Sequence, residues 1–507
     1  MELIAKDWVL YGMKINFHRG KMLSGSFKRK PRMKIIKIAY LILLMTFVSF
    51  VVSCKVKKSN TEEEAVTKPN IIFILADDLG YGDVGFNGQD KIKTPNIDKL
   101  AENGMIFTNH YTGSTVCGPS RAVLMTGKHT GHSTVRGNPR WTASGTPVDI
   151  NAKDITVAEE LKRAGYTTGI VGKWGLAENL TDGRPNKQGF DYFYGFNQHS
   201  PAHHYYPESI FENEKRITLD GNNPQTKEGQ HIHYKITEKA TEFINKNHEA
   251  PFFLYLTYTI PHFELTILEK EKEQYKNLGW PKRKMTPGHY RHDEDGHITY
   301  AAMVSTMDRD IGNLVKQLET LGVADNTLIV FTSDNGHEYD DLKNEFFNSN
   351  GHFKGHKRDL YEGGIRTPFV VYWPNQIKAG STTNHISAFW DFLPTVCELA
   401  GIKPTNEIDG ISYLPTLLGN NAEQQKHNYL YWEFNERQGP IQAVRQNNWK
   451  AVKFDKKPLE LYDLSNDIGE QKNIAEQYPE KAKELLYFIN NSRTEHPEFP
   501  LVRKRQK

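Results

Sequence analysis

Asn70-Ile71-Ile72-Phe73-Ile74-Leu75-Ala76 is an unbroken apolar run that ends abruptly in Asp77-Asp78-Leu79-Gly80. A strand with no polar alternation is one buried on both faces, as in a parallel sheet covered by helices. The same pattern recurs along the chain. Thr167-Thr168-Gly169-Ile170-Val171 runs into Gly172-Lys173-Trp174, and Phe252 to Tyr258 runs into Pro261-His262. Thr327 to Thr332 runs into Ser333-Asp334-Asn335-Gly336-His337, and a further strand, Pro368 to Trp373, follows Lys357 and the turn Glu362-Gly363-Gly364. Helical patterns lie between them, at Thr94-Pro95 onward, Val157 to Ala164 and Met303 to Leu321. Strands alternating with helices predict an α/β fold, a large and mostly parallel doubly wound sheet. Such sheets bind ligands beyond the carboxyl ends of their strands. That rule places Asp77 and Asp78, Lys173, His262, and Asp334 and Asn335 on one rim.

Two adjacent carboxylates just past a buried strand repel each other unless a cation lies between them. Asp77, Asp78, Asp334 and Asn335 offer only oxygen, which selects a hard ion, Ca2+ in preference to Mg2+, over zinc. Lys173 and Lys357 add positive charge, and His262 a group that titrates near neutrality. Between the first two strands lies Ser114-Thr115-Val116-Cys117-Gly118-Pro119-Ser120-Arg121, continuing to Lys128. A thiol at a helix entrance is expected to be activated by the free N–H groups there. Arg121, one turn on, is placed to reach back towards it. A cation, two lysines, a histidine and an activated position at 117 describe a site that receives a tetrahedral oxyanion group on an enzyme nucleophile.

The chain is long, at 507 residues, and nearly neutral, with 64 basic against 61 acidic side chains, so charge gives no case for a nucleic-acid partner. Three cysteines cannot build a disulfide scaffold. Near the start, the basic segment Lys28 to Lys34 precedes the apolar run Ile38 to Val52. That run is short for a membrane span and fits a signal peptide. Its end, Val51-Val52-Ser53-Cys54, resembles a bacterial lipobox. Cys54 is therefore the expected lipidation site of an exported lipoprotein, periplasmic or anchored to the outer membrane, touching the membrane only through its lipid. Residues 1–32 read as an upstream extension, 55–68 as a flexible tether, 69–415 as the catalytic α/β domain and 416–507 as a C-terminal subdomain. The last is expected to be α+β, because Tyr429 to Phe434, Ile441 to Arg445, Trp449 to Lys453 and Leu459 to Asp463 are short, closely spaced strands before a helix at Pro479 to Asn490.

Cys117-Gly118-Pro119-Ser120-Arg121 resembles the C-x-P-S-R signature of the type I sulfatases, of the alkaline-phosphatase-like superfamily. The other motifs, including Lys357 with Glu362-Gly363-Gly364-Ile365-Arg366, follow in family order from about Pro69 onward. The resemblance implies a sulfatase removing sulfate from a sugar of a sulfated glycan, with galactose or N-acetylgalactosamine favoured. It also implies that Cys117 is oxidised to formylglycine by a formylglycine-generating or radical maturation enzyme. The hydrated aldehyde would attack sulfur, and the resulting sulfated hemiacetal would expel sulfate. Calcium would then sit on Asp77, Asp78, Asp334, Asn335 and residue 117. Arg121 would orient the modified side chain, Lys173 and Lys357 would hold sulfate oxygens, and His262 would serve the leaving oxygen. The family commonly reads Gly-Lys-Trp-His where this chain has Gly175, and His199 or His203 is the expected replacement. Arg136 and Asn138, with His199 and His203, are the candidate sugar ligands. His129, His132, Arg184, Trp432, Glu433, Asn435 and Arg445 are weaker ones, Trp432 reading better as core. The alternatives are a phosphate mono- or diesterase of the same superfamily, or a non-catalytic glycan-binding lipoprotein if Cys117 is never matured.

Overall fold

The computed structural model describes residues 68–179, 181–283, 293–338, 346–436 and 439–501. The leader, Cys54 and the tether as far as residue 67 lie outside them. The described residues fall in one compact unit, Thr67–Lys507. Among them no helix is long and apolar enough to cross a membrane.

The strands of the main sheet are β1 (Asn70–Ala76), β2 (Met105–Phe107), β3 (Thr167–Lys173), β4 (Tyr192–Phe196), β5 (Ser209–Glu212), β6 (Lys215–Thr218), β7 (Phe252–Thr257), β8 (Thr327–Ser333), β9 (Phe369–Tyr372) and β10 (Ser381–Thr383). They lie in the order β10-β2-β9-β8-β1-β7-β3-β4-β5-β6. The five central strands, β8 to β4 in that order, are mutually parallel. All seven residues of β1 are buried, as its lack of alternation requires. Ile71, Phe73 and Leu75 face one core with α2 (Cys117–Thr126), α3 (Val157–Arg163) and α6 (Phe392–Leu399). Ile72, Ile74 and Ala76 face the other, with α4 (Ile232–Asn247) and α5 (Gly296–Thr320). The remaining long helix at the front, α1 (Pro95–Asn103), packs on α5. The sheet is thus doubly wound.

Its flanks mix directions. β9 runs antiparallel to β8, and the β5–β6 hairpin runs antiparallel to β4. The described residues between β8 and β9 hold one short helix, Glu362–Ile365. Among them there is no long helix to carry the chain back across a sheet face, and β9 starts from the rim where β8 ended.

The C-terminal part is an antiparallel meander, β11 (Leu430–Glu436), β12 (Gly439–Gln446), β13 (Trp449–Phe454) and β14 (Glu460–Asp463), with α7 (Pro479–Asn491) on one face. Its other face, through Trp432, Ala443 and Val452, continues the main core. Trp432 is fully buried and its indole N–H donates to Thr112 O at 3.0 Å, so it is a core residue and not a sugar ligand.

Candidate active site

Four adjacent parallel strands, β8, β1, β7 and β3, deliver the charged groups to one end of the sheet. Asp77 and Asp78 follow β1, and Asp78 takes a left-handed φ of 66°, which turns it out of the strand. Asp334 and Asn335 follow β8, and Lys173 closes β3. Asp77, Asp78, Lys173, His262, Asp334, Asn335 and Lys357 are each at most 2 % exposed, so every charge here needs a partner.

The partners are mutual. Lys173 Nζ lies 2.7 Å from Asp77 Oδ2, and Lys357 Nζ 2.7 Å from Asp78 Oδ2. Asn335 Nδ2 donates to Asp78 Oδ1 at 2.7 Å. Arg121 does not reach back to Cys117 as its spacing suggested. Its Nε and Nη2 grip Asp334 Oδ2 at 2.9 and 2.7 Å, and Nη1 donates to Lys173 O at 2.7 Å and to Thr257 Oγ1. Arg121 is a fully buried bolt across the ends of β3, β7 and β8. Ser120 Oγ adds a bond to Asp334 O at 2.6 Å.

Cys117 opens α2, all of whose residues are buried. Burial pushes its thiol up to about 12, against the pull of Lys173 and Lys357. The expectation of an activated thiol therefore fails, since loss of hydration outweighs the helix terminus and both ammonium groups. His199 Nε2 lies 3.9 Å from Cys117 Sγ, and its Nδ1 is buried without a hydrogen-bond partner among the described residues. Lys173 Nζ lies 3.2 Å from His203 Nε2, whose ring stacks on that of His262 with centroids 3.9 Å apart. His199 and His203 thus both belong to the site, at different places. Burial, with Lys357 and Lys173 behind it and Asp78 opposing, holds His262 well below 6.5. It is neutral near pH 7, not the half-protonated group its type suggested.

The donor set fits a hard cation. Asp77 Oδ1 and Asn335 Oδ1 are buried with no hydrogen-bond partner among the described residues. Burial and the charge of Asp77 push Asp334 up to about 7, despite Arg121. One ligand atom each from Asp77, Cys117 and Asp334 lie within 4.8 Å of one another, as do those of Asp77, Asp78 and His262. Unpaired carboxylate and amide oxygens crowded in a dry pocket are what an oxygen-ligated divalent ion satisfies.

Sulfatase-family sequences match residues 69–402, and the C-terminal model of N-sulphoglucosamine sulphohydrolase matches 350–493. The chain belongs to the sulfatase family. It is accordingly a sulfuric ester hydrolase. N-acetylgalactosamine-6-sulfatase of Mus musculus is 30 % identical over 458 residues, covering 86 % of this chain and 79 % of that protein. N-acetylgalactosamine-6-O-sulfatase of Bacteroides thetaiotaomicron is 29 % identical over 538 residues, 90 % of this chain and 99 % of that one. Ps i-CgsB, solved in complex with k-i-k-neocarrahexaose, superposes with a TM-score of 0.71 at 30 % identity, covering 86 % and 95 % of the two chains.

Several sequence candidates for the sulfatase's sugar pocket lie elsewhere. Arg136 is buried and committed to Ser133 O at 2.8 Å, Glu433 at 3.3 Å and Thr494 O at 2.8 Å, which ties the C-terminal sheet to the loop after α2. Glu433 is held by Arg136 and Arg493, Arg445 by Tyr111 and Asn109, and Asn435 by Pro500 O. His129 and His132 pair with Asp409 beyond the far end of α2, about 15 Å along its axis from Cys117. Arg184 sits with Glu214, half-exposed. Asn138 does adjoin the site, its Oδ1 accepting the N–H of Gly118 at 3.2 Å. Sequence reasoning missed Glu338, 2.8 Å from Lys357, and Glu436, which accepts the N–H of Asn138 at 2.9 Å. Glu338 had a signal, three residues beyond Asn335; Glu436 had none.

Proposed function

We propose that this sulfatase removes sulfate from a sugar of a sulfated glycan, using formylglycine made from Cys117 by a dedicated maturation enzyme and a calcium ion held by Asp77, Asp78, Asp334 and Asn335. The observation that carries the reading is the convergence on the Cys117 end of α2 of three buried carboxylates, two buried ammonium groups and two orphaned ligand oxygens. The glycan class is favoured by N-acetylgalactosamine sulfatases among the relatives and by a neighbour solved with k-i-k-neocarrahexaose. Export as a lipoprotein through Cys54 is part of the proposal and is supported by the leader pattern and by the size of such substrates.

In this site the cation would draw charge from the sulfate oxygens while the hydrated aldehyde at 117 supplies the nucleophilic oxygen. The chain's own residues do the rest. Arg121 fixes Asp334 and the end of β3, so that carboxylate and Lys173 hold their positions. Lys173 and Lys357 turn N–H donors towards sulfate oxygens, where charge grows in the transition state. The neutral N–H of His262 donates to the leaving oxygen. His199 takes the role of the histidine absent at 175. A Cβ on Gly175 would stand 3.8 Å from His199 Cα, so the neighbouring loop fills that side of the pocket, and Nε2 faces residue 117. Burial and both lysines hold His199 well below 6.5, so the ring is neutral, and its Nε2, 3.9 Å from Cys117 Sγ, is placed to take the nucleophile's proton. His199→Ala is expected to lower kcat about 10²–10³-fold with a small change in KM; unchanged kcat would remove His199 from this role.

The function is tested by comparing aryl sulfate with aryl phosphate, before and after chelation. Sulfate turnover should dominate, vanish on chelation and return with Ca2+. Preference for phosphate would overturn the reading.

A further inference from the structure

Three successive residues of the loop after β4, His203, His204 and Tyr205, dock on the loop after β7 that carries His262. The His203 ring lies on the His262 ring, 9° from parallel with centroids 3.9 Å apart. His204 Nδ1 lies 2.6 Å from Glu264 Oε2, and the Glu264 N–H donates to His262 O at 2.7 Å. The Tyr205 hydroxyl donates to the carbonyls of Thr259 and His262 at 3.0 and 2.9 Å. Three contacts in a row hold one segment in register with the other, and Pro201, near the start of the turn Ser200–His203, restricts the backbone that delivers them. The edge of His262 meets Asp78, whose Oδ2 is 3.5 Å from Nε2, while His203 covers a face of the ring, so rotation of His262 would lose the stack.

The same His203 ring also meets Lys173. Lys173 Nζ lies 2.7 Å from Asp77 Oδ2 and 3.2 Å from His203 Nε2. Burial holds the His203 ring well below 6.5, hence neutral. An ammonium group has three N–H donors and no lone pair, so Nε2 accepts and the ring proton is on Nδ1. Two fixed partners hold the ammonium against rotation about Cε–Nζ and leave its third N–H for a sulfate oxygen. His203 is buried and spends its Nε2 and one face inside the site, which removes it from the sugar ligands that the sequence suggested. We propose that His203 is a positioning residue that sets Lys173 and His262 together, so that one ring aligns the hold on sulfate with the proton donor to the leaving oxygen. The proposal rests on the desulfation reading above and gives a task to a residue that reading leaves idle.

Two variants separate the two contacts. His203→Phe keeps a flat ring against His262 and removes the acceptor of Lys173; His203→Gln keeps an amide oxygen near the place of Nε2 and removes the ring. The first readout is calorimetric binding of inorganic sulfate, which needs no turnover. His203→Phe should weaken it roughly tenfold, and His203→Gln should bind as the wild type does. The second is turnover of phenyl sulfate against nitrophenyl sulfate, whose anion departs without a proton. His203→Gln should lower kcat for phenyl sulfate roughly 10–100-fold and spare nitrophenyl sulfate, and His203→Phe should keep the wild-type ratio of the two. Equal losses in both variants, with sulfate affinity, both esters and the urea midpoint falling together, would show a merely structural residue and overturn the proposal. So would wild-type behaviour in both. A wild type that turns over no sulfate ester would fail the desulfation reading, while the sulfate titration would still judge the hold on Lys173.

Discussion

Arg121→Met is expected to lower kcat/KM roughly 10²–10³-fold or more and to cost about 3–5 kcal/mol of stability. Both effects come from one geometry. The guanidinium is fully buried, donates through two nitrogens to Asp334 Oδ2 and carries the backbone carbonyl of Lys173 on its third nitrogen. Methionine fills similar volume but leaves Asp334 beside Asp77 and Asp78 with no fixed counter-charge. The carboxylate then takes up a proton or moves, and either change spoils a candidate cation ligand. Arg121→Lys keeps the charge but not the fork, and should recover stability more than turnover. Urea unfolding and steady-state kinetics on the same preparations measure both. Native stability and turnover in Arg121→Met would show that the bolt is unnecessary.

The second large effect lies outside the pocket. Lys450, fully buried in β13, bridges Glu362 at 2.8 Å and Glu470 at 2.9 Å. Glu470 in turn accepts the N–H of Glu362 at 2.7 Å. Glu362 begins the short helix just after Lys357, so this triad fastens the Lys357 loop to the C-terminal sheet. Lys450→Met leaves two carboxylates facing each other in a dry interface and should cost about 3–5 kcal/mol. The triad also carries a pH signature. Burial and the charge of Glu362 push Glu470 up to about 7, from 4.5, against the pull of Lys450. Between those values the native state keeps a proton that the unfolded chain has released, so Glu470's contribution is complete below 4.5 and is lost as pH rises through about 7. Glu470→Gln should flatten stability over that window, read from urea midpoints at several pH values. An unaltered slope would remove Glu470 as its source.

Much of this was legible in the sequence because the central strands are buried on both faces. Ile71–Ala76 had to be uniformly apolar, and an apolar strand breaking into Asp77-Asp78 or Ser333-Asp334-Asn335 marks where ligand chemistry begins. Tertiary effects hid the remainder. The entrance of α2 argues for an acidic thiol at 117, but the packing that buries it can be seen only in the fold. Arg136 looks like a ligand in a loop beside the motif; its donors are consumed by Glu433 and Thr494, far along the chain. His129 and His132 are close to Cys117 in number and a helix length away in space. Glu436 reaches the mouth only because the meander packs against the main core through Trp432. The reversal of β9 goes with an intervening segment whose described residues hold no crossover helix.

The proposed desulfation turns on Cys117 as the precursor of its nucleophile. Its most direct test is the mass of the Cys117-containing peptide from protein made in its native host, taken alongside turnover of a sulfate ester. An aldehyde is expected in place of the thiol, with turnover rising in proportion to the converted fraction. Full turnover in protein whose Cys117 is wholly thiol would contradict it.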